Sequence, residues 1–349
     1  MIVVIADDLS GAAELAGAAR RHGLSAEVQT TFFPATDAEV VCVDTDTRLL
    51  PPDEAAQRVA TIAREVIAAQ PAWIFKKCDS VLRGPVLAEA RAVAAAAGQP
   101  RLLLIPANPS RQRLIRAGKY FVAGRPLNET AFAADPIHPR LTAEVKALLG
   151  EKPADAVVPD INTEADVRHQ AAKMDASTLP VGAVDFFSAL LDVRIPPKII
   201  PTPSPAVKGK TLLVCGSVNS WLQRSAEAKV RGIPAFTLPH DIAAAATALR
   251  QSDCVLLGIG PTAHDITPAA LARRLAESVA GILHQAPVAR LLLEGGATSA
   301  AVIAALGWTR LRTEQIADSG VGVLRPAAEN APLLFIKPGS YPWPDAIWP

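Results

Sequence analysis

The sequence predicts an α/β fold of two domains, each a mostly parallel sheet flanked by helices. Short aliphatic and β-branched runs alternate with longer alanine-rich stretches of helical periodicity, which is the pattern of βαβ units. The 349 residues exceed the length at which a single hydrophobic core usually stops growing. Residues 195–206 contain five prolines and read as an extended connector. We therefore expect an N-terminal domain of residues 1–205, which ends in this connector, and a C-terminal domain of residues 206–349.

The individual elements follow from the same alternation. Strands are predicted at Ile2–Ala6, Glu39–Val43, Trp73–Lys76, Leu102–Ile105, Leu212–Cys215, Cys254–Leu257, Leu291–Leu293 and from Leu333 onward. Helices are predicted at Ala12–His22, which stops before Gly23, at residues 52–69, which begin with proline, at Ala270–Leu283 and from the glycines at 295–296 through Leu306.

Composition excludes several classes of protein. With 35 basic and 34 acidic residues the formal net charge is +1, which gives no electrostatic footprint for nucleic acid or an anionic membrane. The expected partners are small molecules or a second copy of the chain in a homodimer. The four cysteines fit no zinc pattern and read as buried free thiols. The N-terminus lacks the features of a signal peptide and no run of about 18 apolar residues occurs, so we expect a cytoplasmic protein.

Three polar segments follow predicted strands of the first domain, where ligands bind in open parallel sheets. The first is Asp7-Asp8-Leu9-Ser10-Gly11, whose adjacent carboxylates suit hydroxyl binding, cation binding or general-base catalysis. A simple helix cap needs only one of them. The second, residues 76–85, brackets Asp79 and Ser80 with Lys76, Lys77 and Arg83, which suits a carboxylate or phosphate clamp as well as a solvated loop. The third, residues 106–120, is a proline-stiffened, arginine-rich loop that continues into a long polar connection at 124–139.

In the second domain a strand runs into Gly295-Gly296-Ala297-Thr298-Ser299 and then an alanine-rich helix. Glycines allow phosphate oxygens to approach the backbone, and a helix N-terminus supplies free N–H groups, although a glycine pair also makes ordinary tight turns. Ser217, after the strand at 212–215, is a similar and weaker candidate.

Another glycine motif raises the alternative of a nicotinamide-dependent oxidoreductase, which is the less favoured interpretation. Gly258–Ala263 satisfies the G-x-G-x-x-A pattern, but the nearest acidic residue downstream, Glu277, lies inside a predicted helix rather than at a strand end. The chain has no G-x-x-x-x-G-K-[ST] loop, and its six histidines form no metal-binding pair.

Taken in order, five blocks resemble those of the four-carbon acid sugar kinase family. They are IADDLSGA at 5–12, KKCDSVLRG at 76–84, PANPSRQR, GKYFVAGRPLNET and DP within 106–136, GGATSAA at 295–301 and KPGSYPWP at 337–344. The resemblance spans almost the whole chain. It implies transfer of the ATP γ-phosphate to a hydroxyl of a four-carbon sugar acid such as threonate, erythronate or an oxo-tetronate, with Mg²⁺ as the accompanying ion.

The resemblance also implies roles for individual residues. The substrate-side motifs are matched by Asp7, Asp8, Asp79, Ser80, Arg83, Gly84 and Arg113. The nucleotide positions are matched by Ser217, Gly295, Gly296, Ala297, Thr298 and Gly339. Arg83, with Lys76 or Lys77, is expected to neutralise the substrate carboxylate, and one of Asp7, Asp8 and Asp79 to orient or deprotonate the hydroxyl. The ligands of Mg²⁺ are not identified.

Four positions depart from the family pattern. Ala297 stands where many members carry Asp or Glu, Gln112 replaces a glycine, Pro85 replaces a common Asn, and the end reads KPGSYPWP instead of a KSGNFG-like loop. These departures motivate a rival interpretation, a sugar-acid sensor that binds its ligand on the same fold without transferring phosphate.

Overall fold

The computed structural model describes residues 1–135, 137–150, 155–196, 198, 208–261, 266–314, 320–339 and 341–348. The chain forms two compact units, one of Met1–Ala26 and Thr31–Ile200 and one of Glu27–Thr30 and Pro201–Pro349. The predicted boundary near residue 206 and most of the connector at 195–206 lie outside the described residues. The assignment of Glu27–Thr30 to the second unit was not predicted.

The strands are β1 (Ile2–Ala6), β2 (Ala26–Gln29), β3 (Val40–Asp44), β4 (Trp73–Lys77), β5 (Arg101–Ile105), β6 (Arg113–Arg116), β7 (Lys119–Val122), β8 (Arg125–Pro126), β9 (Ala156–Val157), β10 (Thr178–Gly182), β11 (Thr211–Cys215), β12 (Ala235–Thr237), β13 (Cys254–Gly258), β14 (Arg290–Glu294), β15 (Arg310–Thr313), β16 (Gly322–Pro326) and β17 (Leu333–Lys337). The helices are α1 (Leu9–Arg21), α2 (Pro52–Ala68), α3 (Val86–Ala97), α4 (Val145–Leu148), α5 (Glu164–Ala172), α6 (Val184–Arg194), α7 (Val218–Val230), α8 (Ile242–Gln251), α9 (Pro268–Gln285) and α10 (Gly296–Ala305). The α/β fold class is confirmed. Among the described residues, no helix has both the length and the apolar character needed to cross a lipid bilayer.

The first unit is built on a parallel sheet of order β3-β1-β4-β10-β5-β9. Ala6 at the end of β1 lies opposite both Asp44 and Lys77, and Gly182 lies opposite both Lys77 and Ile105. The carboxyl ends of these strands therefore meet at one edge, where the residues that follow β1 and β4 become neighbours. β1 and β3 are buried at every position, because helices cover both faces of a parallel sheet.

A small antiparallel sheet, β6-β7-β8, interrupts the region predicted to be loop. In it Arg113 pairs with Val122 and Arg116 with Lys119. These strands have two to four residues and no clear alternation of polar and apolar residues, so their sequence carries little strand signal.

The second unit contains parallel strands in the order β12-β13-β11-β14-β17, followed by β16, β15 and β2, which pair antiparallel. Cys215 lies opposite Gly258 and Glu294, and Glu294 lies opposite Lys337. The chain leaves β11 towards β12 on one side and leaves β14 towards β15 on the other. The crevice between β11 and β14 is therefore a topological switch point, where ligands bind in open α/β sheets.

Candidate functional site

The two carboxylates that follow β1 lie side by side and are buried, with Asp7 2% and Asp8 6% exposed. Asp8 caps helix α1, because its Oδ1 accepts a hydrogen bond of 2.9 Å from the backbone N–H of Gly11. This cap starts α1 at Leu9, three residues earlier than predicted. Asp7 has no such task, and its Oδ1 is buried with no hydrogen-bond partner among the described residues.

Arg48, a residue that the sequence did not single out, holds this carboxylate pair. Its Nε donates to Asp7 Oδ2 at 2.7 Å and its Nη2 to Asp8 Oδ1 at 2.6 Å, while Nη1 lies 3.7 Å from Asp79 Oδ1. Arg48 lies in the turn between β3 and α2, four residues beyond the end of β3. A strand end rich in polar residues, VDTDTR at 43–48, was the signal that could have identified it.

The two lysines at the end of β4 have different environments. The Nζ of Lys76 is fully buried and forms an ion pair of 2.6 Å with Glu89 of α3. The Nζ of Lys77 donates to the carbonyl of Cys78 at 2.6 Å, and no carboxylate lies within 4.0 Å of it in the described part of the chain. A Cβ atom added to Gly11 would lie 2.8 Å from Asp8 Oδ1 and 3.0 Å from Lys77 Nζ. The ammonium of Lys77 is therefore next to the start of α1 and the aspartate pair.

Asp79 and Arg83 form a bidentate pair on the turn that follows β4. Arg83 Nη2 donates to Asp79 Oδ1 at 2.8 Å and Nε to Oδ2 at 3.0 Å, and Oδ2 also accepts the N–H groups of Val81 and Arg83. Gly84, which follows, has a φ of +81°, and a Cβ there would lie 2.8 Å from the carbonyl oxygen of Arg48. Glycine is thus needed both for the backbone conformation and for the close approach of Arg48.

The third predicted segment reaches the same edge through the small sheet. Arg113 of β6, 7% exposed, donates from Nη1 to the hydroxyl of Ser80, and the Tyr120 hydroxyl donates to the carbonyl of Ser80. The ring of Phe132 packs under the guanidinium groups of Arg83 and Arg113, at 5.9 and 5.4 Å. The fold thus gathers all nine predicted residues of the first domain at one sheet edge, namely Asp7, Asp8, Lys76, Lys77, Asp79, Ser80, Arg83, Gly84 and Arg113.

Neighbouring cations lower the pKa of two carboxyl groups of this edge, those of Asp7 and Asp79. Burial alone raises the pKa of Asp7, but the charges of Arg48, Lys77 and Lys76 outweigh it and leave the pKa below its ordinary value. The pKa of Asp79 is held well below its ordinary value, since Arg83 and Arg48 more than offset the effect of burial. By contrast, burial raises the pKa of the Cys78 thiol to about 12, so this cysteine is not a nucleophile at neutral pH.

In the second unit, the turn after β14 has the geometry of an anion site. Gly295 has a φ of +100° and precedes α10, whose first N–H groups have no partner within the helix. A Cβ on Gly216, after β11, would lie 1.6 Å from Thr298 Oγ1. The starts of α7 and α10 are therefore in direct contact at the switch point.

The remaining predicted nucleotide residues lie around this turn. Ser217 is exposed and caps α7 by accepting the N–H of Ser220 at 3.1 Å. Ala297 is exposed in the first turn of α10, Thr298 is buried, and Gly339 is exposed after β17. Gly295 donates its N–H to the carbonyl of Lys337 at 3.0 Å, which brings the end of β17 to the same turn.

A buried charge cluster underlies the anion-site turn. Glu294 Oε1 lies 2.9 Å from Lys337 Nζ, and Oε2 lies 3.1 Å from Arg224 Nε and 3.0 Å from the indole nitrogen of Trp343. Burial alone raises the pKa of Glu294, but Lys337 and Arg224 outweigh it and leave the pKa lowered. None of Glu294, Lys337, Arg224 and Trp343 was predicted as part of the site, because each reads as a strand-end, helix or tail residue in isolation.

The glycines of the oxidoreductase motif have packing roles. A Cβ on Gly258 would lie 2.3 Å from the Trp221 ring, and one on Gly260 would lie 2.8 Å from the Thr237 side chain. Thr262 and Ala263 lie outside the described residues, and the described helix α9 begins only at Pro268. Glu277 lies within α9, as expected. In the described residues, no three histidine, cysteine, aspartate or glutamate side chains are grouped so as to hold a metal ion.

The chain is thus a two-unit α/β protein with a buried cluster of charged side chains at one sheet edge and a glycine turn before a helix start at another. Residues 2–185 match the family described as the sugar-binding N-terminal domain, and the chain belongs to this family. The resemblance to four-carbon acid sugar kinases is confirmed by curated relatives that bear those names.

Three such relatives differ in the sugar acid they are named for and in the share of the chain that they match. The chain is 29% identical to a D-threonate kinase of Bordetella bronchiseptica over 346 residues, which cover 87% of this chain and 85% of that protein. It is 27% identical to a D-erythronate kinase of Heliobacterium modesticaldum over 65% of this chain and 60% of that protein. It is 32% identical to a 3-oxo-tetronate kinase of Methylobacterium radiotolerans over 42% of this chain and 37% of that protein. In the last two alignments the chain spans less than two thirds of the relative.

Solved structures resemble the chain over nearly its full length. A crystal structure of a domain of unknown function from Bordetella bronchiseptica, with bound citrate and described as a domain-swapped dimer, is 26% identical with a TM-score of 0.51 and coverage of 98% and 95%. A Haemophilus influenzae protein of 20% identity has a TM-score of 0.69 and coverage of 97% and 96%. The second likeness is one of fold alone.

Proposed function

We propose that the protein is an ATP-dependent kinase that phosphorylates a hydroxyl of a four-carbon sugar acid of the threonate, erythronate or 3-oxo-tetronate type. One observation carries the proposal for this chain. In the described part of the chain, a buried carboxylate oxygen without a partner, Asp7 Oδ1, and a buried ammonium without a carboxylate partner, Lys77 Nζ, occupy the same sheet edge. A ligand that presents a hydroxyl and a carboxylate satisfies both, and the names of the relatives point to the same ligand class.

Asp7 is the aspartate that orients the attacking hydroxyl. Both oxygens of Asp8 and both of Asp79 already accept hydrogen bonds from Ser10, Gly11, Arg48 or Arg83. Oδ1 of Asp7 can accept a hydrogen bond from the attacking hydroxyl without giving up an existing hydrogen bond. Its lowered pKa makes it a weak base, which suits phosphoryl transfer, because that chemistry depends mainly on positioning and charge stabilisation.

Lys77 and Arg113 are the cations that bind the substrate carboxylate first. The ammonium of Lys76 is already paired with Glu89. Arg83 has Nε and Nη2 on Asp79 and Nη1 on Asp135. In this assignment Lys76 and Arg83 position the strand end and Asp79.

The start of α10 binds the ATP phosphates through its main chain. Free N–H groups after Gly295 and the hydroxyls of Thr298 and Ser217 are suitable donors. Mg²⁺ usually keeps several waters and is bound by phosphates with one or two carboxylates, and it neutralises phosphate charge during transfer. Glu294 is unsuited as its ligand, because Lys337, Arg224 and Trp343 occupy its oxygens. The ion is therefore expected to arrive on the nucleotide.

A sugar-acid sensor remains the second candidate, and Ala297 favours it. This exposed alanine leaves the first turn of α10 without a carboxylate, and the nearest one, Glu294, is paired internally. The sensor would bind the acid at the first edge without turning over ATP.

One experiment separates the candidates. Purified protein is mixed with MgATP and a panel of tetronic acids, and ADP release is measured alongside thermal shifts. The kinase requires that at least one acid stimulates ADP release. An acid that shifts the melting temperature without ADP release points to the sensor, and a shift with NAD but not with ATP would overturn the kinase assignment.

Two variants test the assigned residues. Asp7→Asn should retain acid binding while turnover falls by about 10²- to 10⁴-fold, the usual contribution of a positioned acid–base group. Gly296→Val should weaken ATP binding with little change in acid binding, because a side chain would obstruct phosphate approach. Unchanged turnover in the first variant, or unchanged ATP affinity in the second, would show that the role given to that residue is wrong.

A further inference from the structure

The chain between β8 and Glu144, a residue that pairs with Lys119 of β7, lies over the charged edge of the first unit. The described residues 127–135 and 137–140, here called the lid segment, contain two short 3-10 turns, Leu127–Glu129 and Ala131–Ala134. Both flanks are fixed to the small sheet. Val122 pairs with Arg125 on one side, and Tyr120 donates its N–H to the carbonyl of Ala143 at 2.8 Å on the other.

The lid segment holds itself together. Asp135 Oδ1 accepts the N–H groups of Ile137 at 3.0 Å and His138 at 2.8 Å, and Arg140 donates its N–H to the carbonyl of Phe132 at 2.9 Å. Arg140 Nε also donates to the carbonyl of His138 at 3.0 Å. These internal bonds make the lid segment one hydrogen-bonded unit.

Three side-chain hydrogen bonds fasten the lid segment to the charged edge in the described part of the chain. Asp135 Oδ2 accepts from Arg83 Nη1 at 3.1 Å, Arg140 Nη1 donates to the carbonyl of Leu82 at 2.7 Å, and His138 Nε2 lies 3.2 Å from the carbonyl of Arg48. Phe132 completes the cover with its ring against Arg83 and Arg113. Each fastening point lies on or beside a residue of the proposed acid site.

Asp135 is the partner of Arg83 that an incoming anion can replace. Asp79, the other partner, is 6% exposed at its side chain and accepts four hydrogen bonds, whereas the side chains of Asp135 and Arg83 are 16% and 23% exposed. The carboxylate of Asp135 presents to Arg83 the same group that a sugar acid presents. A carboxylate that approaches Nη1 of Arg83 meets the negative charge of Asp135 there, and the two like charges repel each other.

We propose that the lid segment closes over the sugar-acid site, that the Asp135–Arg83 ion pair latches it, and that the latch must open before the carboxylate of the acid reaches Arg83. The lid proposal rests on the proposed function, because it takes the ligand to be a sugar acid. It assigns Asp135 the role of an internal competitor that sets the rate and affinity of acid binding. Arg83 then contacts substrate only in the unlatched form, which accounts for its internal pairing here.

The test compares Asp135→Asn with a matched control. Asparagine keeps an oxygen that can accept the N–H groups of Ile137 and His138, but it lacks the negative charge that pairs with Arg83. Asp160→Asn is the control, because Asp160 is exposed and likewise accepts two backbone N–H groups, from Ala117 at 2.6 Å and Gly118 at 3.0 Å. It belongs to neither the proposed site nor the latch.

Two measurements on the full chain decide the outcome. Without any ligand, hydrogen exchange of the lid amides should be faster in Asp135→Asn than in the unaltered protein and the control. With D-threonate or D-erythronate in stopped flow, the observed binding rate should saturate with acid concentration in the unaltered protein and rise to a higher plateau in Asp135→Asn. The affinity of that variant should increase by about two- to fivefold, the scale of a partly exposed ion pair.

Equal lid exchange in Asp135→Asn and the unaltered protein would overturn the latch. The lid does not limit acid entry if the binding rate of the unaltered protein rises linearly with acid concentration and Asp135→Asn binds no faster. If no tetronic acid binds the unaltered protein, the proposed function fails, and the exchange experiment still decides whether the latch exists.

Discussion

The polar edges of the two units use their charges in opposite ways. In the first unit, Asp7 keeps a buried oxygen without a partner and Lys77 a buried ammonium without a carboxylate partner among the described residues. In the second unit, both oxygens of Glu294 are bonded to Lys337, Arg224 or Trp343. The main-chain N–H groups of α10 are then the donors left for a ligand at the turn. Under the proposed function, this difference implies recognition of the acid by side-chain charge in the first unit and of the nucleotide by backbone and shape in the second.

This contrast separates the expected effects of substitution. Removal of a cation from the first edge should alter acid recognition and stability together. In the second unit, the sensitive positions should be those where a small side chain obstructs the turn.

The largest effect is expected for Arg48→Ala. Its guanidinium pairs with Asp7 and Asp8, both nearly inaccessible to solvent, and removal of one partner from a buried ion pair typically costs about 3–5 kcal/mol. The free energy of unfolding should fall by that amount in urea titrations, and acid binding should be lost. Asp7 and Asp8 would lose the cation that donates hydrogen bonds to both of them, so their repulsion of an anionic ligand would increase.

Arg91→Ala is the matched control for Arg48→Ala. Arg91 also forms a bidentate pair with an aspartate, Asp155, at 2.8 and 2.9 Å, but the two side chains are 39% and 36% exposed. Exposed pairs contribute about 0–1 kcal/mol. If both variants lost the same stability, or if Arg48→Ala still bound the acid, the first edge would not depend on buried charge.

Much of the fold was predictable because the parallel strands are continuous apolar runs. β1 has the predicted bounds, and most other predicted strands differ by one residue at an end. The first-domain site was also predictable, since residues that follow neighbouring parallel strands must meet at one edge. Asp7 and Asp79 therefore come together although 71 positions separate them in the sequence.

Arg48 and the lid segment were not predictable in the same way. Arg48 reaches the site from a turn four residues past its strand, and only the conformation of that turn directs it to Asp7 and Asp8. The latch between Asp135 and Arg83 joins residues 52 positions apart through two 3-10 turns that have no periodicity to detect. The cluster around Glu294 depends likewise on how the tail folds back to place Trp343.

A smaller effect is expected for Gly216→Ala in the second unit. The added Cβ would overlap Thr298 Oγ1, at 1.6 Å, and would lie 2.8 Å from Thr298 Cβ, so the turn must shift. Overpacking of this kind costs about 1–3 kcal/mol. Calorimetry should show weaker ATP binding with acid binding unchanged, because no charge at the first edge is altered.

Gly339→Ala is the control for Gly216→Ala. Gly339 belongs to the same proposed nucleotide site, but among the described residues no heavy atom beyond its chain neighbours lies within 4 Å of the position where its Cβ would be. Its stability should equal that of the unaltered protein. Normal stability and ATP affinity in Gly216→Ala would mean that the contact between the starts of α7 and α10 does not shape the nucleotide site.

The smallest effect concerns Asp44, at the end of β3 beside the aspartate pair. Burial, together with the negative charges of Asp46, Asp8 and Asp7, raises the pKa of Asp44 well above its ordinary value. The folded state therefore favours the protonated carboxyl. Its contribution to stability is complete below the unfolded pKa of about 3.9 and is lost as pH rises towards the folded pKa. Asp44→Asn cannot ionise, and its amide oxygen can still accept the N–H of Asp46, which Asp44 Oδ1 accepts at 2.9 Å. Urea titrations over a pH series should show the variant gaining stability relative to the unaltered protein as pH rises above about 4. Parallel curves for the two proteins would mean that Asp44 ionises as freely in the folded chain as in the unfolded one, and that the first edge tolerates a further negative charge.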